Sequence, residues 1–119
     1  MLIENNITYQ KAYAFAVCMV NAFKYLQSEK RAFILSKQLL HSGTSIGANI
    51  AEANGAISNA DFFAKMSIPK EYLETKYWLN LLKDTAYIDE KMYISVYEDA
   101  DELVKILYTI LRKMRNLDK

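Results

Sequence analysis

Few side chains in this sequence are placed to do chemistry. His41 is the only histidine. A catalytic imidazole needs a nucleophile to activate or a carboxylate to orient it. Ser45 lies one helical turn on, but no acid follows at helical spacing until Glu52. A metal needs several converging ligands. Cys18 is the single cysteine, which excludes an intramolecular disulfide and a multi-cysteine metal site. It sits in the apolar run Ala12 to Val20, which marks it as a small core residue. No basic partner at a useful spacing makes it a reactive thiol. Ribonuclease sites in helical bundles use an Arg followed four to six residues later by a His, and residues 34 to 37 read Ile-Leu-Ser-Lys. Di-iron bundles use Glu-x-x-His pairs, of which there is none. Glu71 and Glu74 share a helix face and read as solvated charge. No Gly-rich phosphate loop follows a strand. These residues therefore imply no catalytic activity, no metal and no cofactor.

The densest basic cluster is Arg112-Lys113-Met114-Arg115. Cations at a helix C-terminus complement the helix dipole, which explains them without a ligand. The functional alternative is that His41, Arg112, Lys113 and Arg115 contact RNA or DNA on one rim of an oligomer. Symmetry would then multiply a weak site, and Tyr108 could stack on a base. Composition opposes strong general binding to a phosphate backbone. Lys plus Arg is 15 and Asp plus Glu is 14, a net charge of +1, without the basic excess such binding shows.

The stretch from Gln38 to Gly55 must position most of what remains. It holds no Pro and, besides His41 and Glu52, no ionisable side chain. At 3.6 residues per turn, Leu35, Leu39, Ile46, Ile50, Ala53 and Ile57 share one stripe, the face expected to meet a core. A polar stripe of Gln38, Ser42, Ser45, Asn49 and Glu52 runs beside it. Such residues ordinarily hydrogen-bond neighbouring helices or their own backbone. Gly43 and Gly47 lie four apart on the other flank, and Thr44, Ala48, Ala51 and Gly55 form a back face of small residues. Two interior glycines cost about 1 kcal/mol each relative to Ala. Close helix packing is the simplest compensation, since small residues let another backbone approach. The expected interface with another copy comprises Ser42, Gly43, Ser45, Gly47, Ala48, Asn49, Ala51 and Glu52.

These residues carry a pattern: Gln-Leu, then Ser-x-x-Ser-Ile-x-x-Asn-Ile-Ala-Glu, at Gln38, Leu39, Ser42, Ser45, Ile46, Asn49, Ile50, Ala51 and Glu52. It continues at Ser58, Asp61, Phe62, Lys70-Glu71 and Glu74 to Leu82. The pattern resembles the four-helix-bundle proteins of the 23S rRNA intervening sequence family. That resemblance implies an up-and-down bundle assembled into ring-shaped homopentamers, without an established catalytic activity. Related accessory proteins of diversity-generating retroelements, similar in fold, work with a reverse transcriptase and nucleic acid. Two positions depart from the pattern. His41 stands where Arg is common, and Pro69 falls within a helix the family leaves unbroken.

At 119 residues the chain reads as one domain over 1–119. It is 52% hydrophobic, with three Gly and one Pro. That composition excludes a disordered tail and favours a few long helices. The expected fold is all-α, an antiparallel up-and-down four-helix bundle with helices at about 8–27, 29–54, 58–85 and 89–116. In the first helix, Ala14 or Phe15, Cys18, Ala22 and Tyr25 are expected to face the core, with Tyr13, Val17, Val20 and Phe23 widening the apolar surface. Lys11 and Lys24 are its only interior charges, too few for a half-solvated helix, which favours a homo-oligomer. Ser28 is a cap for the second helix, and Asn54-Gly55 its stop. Ser58 and Asp61 open the third helix, where Phe62, Met66, Leu73, Leu79 and Leu82 face the core and Pro69 imposes a kink. Asp89 opens the fourth, whose seam is Tyr93, Val96, Ala100, Leu103, Leu107, Ile110 and Met114. The nine-residue apolar run is too short to span a bilayer, and no basic leader precedes it. The expectation is a cytoplasmic protein with no membrane partner.

Overall fold

A computed structural model describes residues 6–54, 58–65 and 69–118. They form five helices: α1 (Asn6–Ser28), α2 (Phe33–Asn54), α3 (Asn59–Lys65), α4 (Pro69–Asp84) and α5 (Glu90–Asp118). No strand occurs among the described residues. The fold is an all-α bundle measuring 49 × 21 × 20 Å. α1 packs along α2, α2 on α3 and α4, α4 along α5, and α5 returns onto α1. Facing residues give the directions. Gly43 and Gly47 of α2 meet Met19 and Ala12 of α1. Tyr72 and Asn80 of α4 meet Asp101 and Tyr93 of α5. Each pair of sequences runs in opposite senses, so both pairs are antiparallel.

The helix ends follow local chemistry. Ser58 caps α3 through its Oγ, which accepts from the Asp61 amide at 3.0 Å. Asp89 caps α5 in the same manner, accepting from the Met92 amide at 2.8 Å. Both are the expected side-chain acceptors for orphan first-turn donors. Ser28 does not cap α2. It is the last residue of α1 and donates its hydroxyl to the Lys24 carbonyl at 2.9 Å. α2 begins at Phe33 rather than Glu29. Between them Arg31 adopts a φ of 51°, and the Ala32 amide reaches back to the Leu26 carbonyl at 2.9 Å. A left-handed residue ends one helix and forces a full turn of chain before the next.

The single kinked helix expected over 58–85 is two described helices. Pro69 is the first described residue of α4. The kink expected at Pro69 adjoins residues 66–68, which lie outside the described residues. Residues 55–57 and 66–68 lie outside the described residues, and with them Gly55, Ile57 and Met66.

The core is formed by Ala12, Phe15, Met19, Ala22 and Leu26 of α1, Leu39, Ile46, Ile50 and Ala53 of α2, Phe62 of α3, Leu79 and Leu82 of α4, and Val96, Ala100, Leu103 and Leu107 of α5. The α2 and α5 stripes are those the periodicity predicts. On α1 the stripe is rotated: Met19 and Leu26 are inside, while Ala14 and Tyr25 are exposed and Cys18 is half-buried. α1 is apolar nearly all round, so periodicity alone cannot choose its inward face. Contact with the α2 glycines chooses it. On α4, Leu73, expected in the core, is 60% exposed, and Thr75 is fully buried. Thr75 meets Ser42 of α2 there.

Candidate functional site

The small-residue stretch of α2 divides into an inner and an outer half. Ser42 and Gly43 belong to the inner half and are buried within the chain. A Cβ on Gly43 would lie 2.5 Å from Cγ and 2.7 Å from Sδ of Met19. Its hydrogen is therefore required by α1 of the same subunit. Ser42 accepts from the Thr75 hydroxyl at 3.1 Å and donates to the Leu39 carbonyl at 3.3 Å. Ser42 and Gly43, expected at an interface, are thus buried within the subunit. The reason is that a Gly flank beside a core stripe is covered first by the sequence-adjacent helix.

The outer half stays open. Ala48, Ala51 and Glu52 are exposed, and Thr44, Ser45, Gly47 and Asn49 are half-buried. A Cβ on Gly47 would meet the Ala12 carbonyl oxygen at 3.4 Å, a close but tolerable approach. Thr44 and Ser45 turn their hydroxyls onto the carbonyls of Leu40 and His41, each at 2.6 Å. Part of the polar stripe is thereby satisfied by the helix itself. Beside Ala48 and Ala51, α1 presents Tyr9, Tyr13, Val17 and Val20, between 38% and 61% exposed. A hollow of about 190 Å³ lies between the two helices, lined by Tyr9, Tyr13, Ala16, Thr44, Gly47, Ala48 and Ala51. An apolar, uncharged face of this kind is unusual on a solitary subunit.

Within one subunit the four basic candidates do not stand together. His41, Arg112, Lys113 and Arg115 are all exposed. Ser42 sits level with Thr75, and Tyr72 with Asp101. At 1.5 Å per residue, His41 therefore lies roughly 20 Å along the rod from Arg112. The three C-terminal cations stand together near one end, and His41 stands near the middle.

Periodicity did not expose a second feature, the seam between α4 and α5. The Lys76 ammonium lies 5.0 Å from the Tyr72 ring centroid and 4.8 Å from that of Tyr97. The Lys83 ammonium lies 4.6 Å above Tyr93, and Tyr93 packs on Tyr97 with centroids 5.5 Å apart. The Tyr72 hydroxyl donates to the Asp101 carboxylate and the Tyr93 hydroxyl to Asn80. Burial first, then the bond to Asp101, raises the Tyr72 pKa above its ordinary value. Lys76 is also raised, first by its hydrogen bond to Tyr97. The Lys and Tyr spacing was visible in the sequence. The register that lays one row on the other was not.

Cys18 faces α5, and burial followed by the Asp99 charge raises its thiol pKa, so it is held protonated. Among the described residues no three His, Cys, Asp or Glu side chains converge on one point. No described helix is long and apolar enough to cross a membrane.

Comparison with known proteins agrees with this architecture. The model of the family described as 23S rRNA-intervening sequence protein matches residues 4–109. A crystal structure at 1.70 Å resolution, of a protein of unknown function from the S23 ribosomal protein family of Bacteroides thetaiotaomicron VPI-5482, is similar over 87% of this chain and 97% of that one. The two are 48% identical, with a TM-score of 0.84. No curated protein matches the chain.

Proposed function

The chain belongs to the 23S rRNA-intervening sequence protein family, and from that premise we propose that it is a non-enzymatic, homo-oligomeric interaction protein whose subunits meet through the outer face of α1 and α2. The observation that carries this is the uninterrupted apolar surface of Tyr9, Tyr13, Val17 and Val20 beside Ala48 and Ala51. Burying it would stabilise association by roughly 25 cal/mol for each Å² of apolar area removed from water. The small side chains of α2 let a neighbouring helix approach closely, and the α1 tyrosines and valines supply contact area. A ring of five subunits is the stoichiometry that the family resemblance suggests. A ring needs a heterologous contact, in which this face meets a different one. The exposed Leu73 and Tyr77, one turn apart on α4 and each 60% exposed, supply such a second apolar face.

Multi-angle light scattering at micromolar concentration tests the proposal. A single oligomer, converted to monomer by Tyr13→Glu with its helical circular dichroism intact, is the expected result. A stable wild-type monomer would refute it.

A second reading is nucleic-acid binding through Arg112, Lys113 and Arg115. It is favoured by the exposure of all three within one turn of α5. Binding would weaken steeply with salt, and charge reversal at Arg112 and Lys113 would abolish it.

A further inference from the structure

At the end of the rod where both long turns lie, the structure holds a hollow of about 470 Å³. It is more than twice the size of the α1–α2 hollow and falls within the usual range of small-ligand sites. Tyr25 comes from the last turns of α1 and Lys30 from the α1–α2 turn. Lys83 comes from the last turn of α4, Tyr87 and Asp89 from the α4–α5 turn, and Glu90 opens α5. Two tyrosines, two lysines and two acidic residues from separate parts of the chain thus line one hollow.

The two turns that bring them together each contain a non-glycine residue in the left-handed region, Arg31 at φ 51° and Ala86 at φ 65°. After Ala86 the chain is tied back by the Ala86 amide to Lys83 and the Tyr87 amide to Leu82, at 3.0 and 2.9 Å. Tyr87 is therefore held on a closed helix end rather than a loose loop. Lys83 is held over the Tyr93 ring at 4.6 Å. One Asp89 oxygen is occupied by the Met92 amide, which leaves its second oxygen and Glu90 to accept from a ligand.

We propose that this hollow binds a nucleotide unit, its base against Tyr25 and Tyr87 and its phosphate on Lys30 and Lys83. The mixture of charges decides the class. A simple anion would be repelled by Asp89 and Glu90, and a simple cation by the lysines. An apolar ligand would strip water from all four. A nucleotide separates its charge as the site does: an anionic phosphate, and a base edge whose amino group donates to a carboxylate. Tyrosine rings stack on bases with little regard to sequence. The unit can be a free mononucleotide or the end of a single strand of RNA.

Titration calorimetry on the full-length chain distinguishes these sources. The ligands are AMP, CMP, inorganic phosphate and a single-stranded RNA of about eight nucleotides, a length within the span such sites accept. Saturable binding of AMP or CMP identifies a free nucleotide, and binding of the RNA alone identifies a strand end. In either case Tyr25→Ala should weaken binding at least fivefold or so, the low end of a base–aromatic stack. Lys83→Met should weaken it further at low salt than at high salt. Tyr25 is exposed, so its variant keeps the test open if Tyr87→Ala does not fold. Phosphate binding as tightly as AMP, binding unaffected by both variants, or no saturable binding of any nucleotide would each overturn the proposal.

Discussion

At the level of single residues, the two glycines of α2 have different jobs, and their alanine variants should separate them. Gly43→Ala places a methyl 2.5 Å from Cγ of the fully buried Met19. Overpacking costs about 1–3 kcal/mol, and the gain in helix propensity, about 1 kcal/mol, only partly offsets it. The expected outcome is a net loss of about 1 kcal/mol in urea unfolding. That loss should disappear in a Met19→Ala background, as a double-mutant cycle would show. Gly47→Ala meets only the Ala12 carbonyl at 3.4 Å, so the propensity gain should win and stability should hold or rise. Ala86 offers a third case. It occupies the left-handed position where a helix end prefers glycine, so Ala86→Gly should raise thermal stability by about 1 kcal/mol. A lower melting temperature would contradict the backbone assignment.

Among the elements, the α4–α5 seam sets a pH dependence. Tyr72 and Lys76 both have raised pKa values in the fold. A raised group favours its protonated form when folded, so its stabilising contribution is complete below the unfolded pKa. It is lost as pH rises through the folded value. For tyrosine and lysine that window opens above about pH 10. Both groups retain solvent contact, so the effect is modest. Wild type should lose stability more steeply between pH 10 and pH 11.5 or so than Tyr72→Phe, which cannot ionise; equal slopes in chemical denaturation would remove Tyr72 from the account. The α1–α5 seam makes the opposite chemical point. Burial and Asp99 keep Cys18 protonated, so iodoacetamide should alkylate the folded chain far more slowly than the urea-unfolded one at pH 8 or so.

For the whole molecule, the question is what covers α1 and α2. The outer face carries no charge between Tyr9 and Val20 except Lys11, which pairs with Glu102 of α5. If subunits meet there, Gly47→Leu should disrupt assembly before it unfolds the subunit. Its branched side chain would enter the 190 Å³ hollow lined by Tyr13 and Ala48, where a neighbour would dock. Sedimentation should show monomer while the far-ultraviolet spectrum stays helical. An intact oligomer would move the interface elsewhere. Raising salt should leave this contact unaffected or tighten it, because it is apolar, whereas any contact through Arg112 and Lys113 should weaken.

The sequence by itself determined the helical class, the α2 and α5 core stripes, the caps at Ser58 and Asp89, and the family. Each follows from local periodicity, short-range hydrogen bonding or a continuous residue pattern. It did not determine which face of α1 turns inward. It placed Gly43 at an interface and Leu73 in the core, and foresaw neither Met19 against Gly43 nor Thr75 in the interior. α1 is apolar on nearly every side, so several rotations satisfy its pattern equally. Only the close fit of Met19 onto Gly43, 24 positions apart in sequence and joined across helices, removes the ambiguity. Tertiary structure decided which small residues are used up in folding and which remain on the surface, because that depends on which helix covers them.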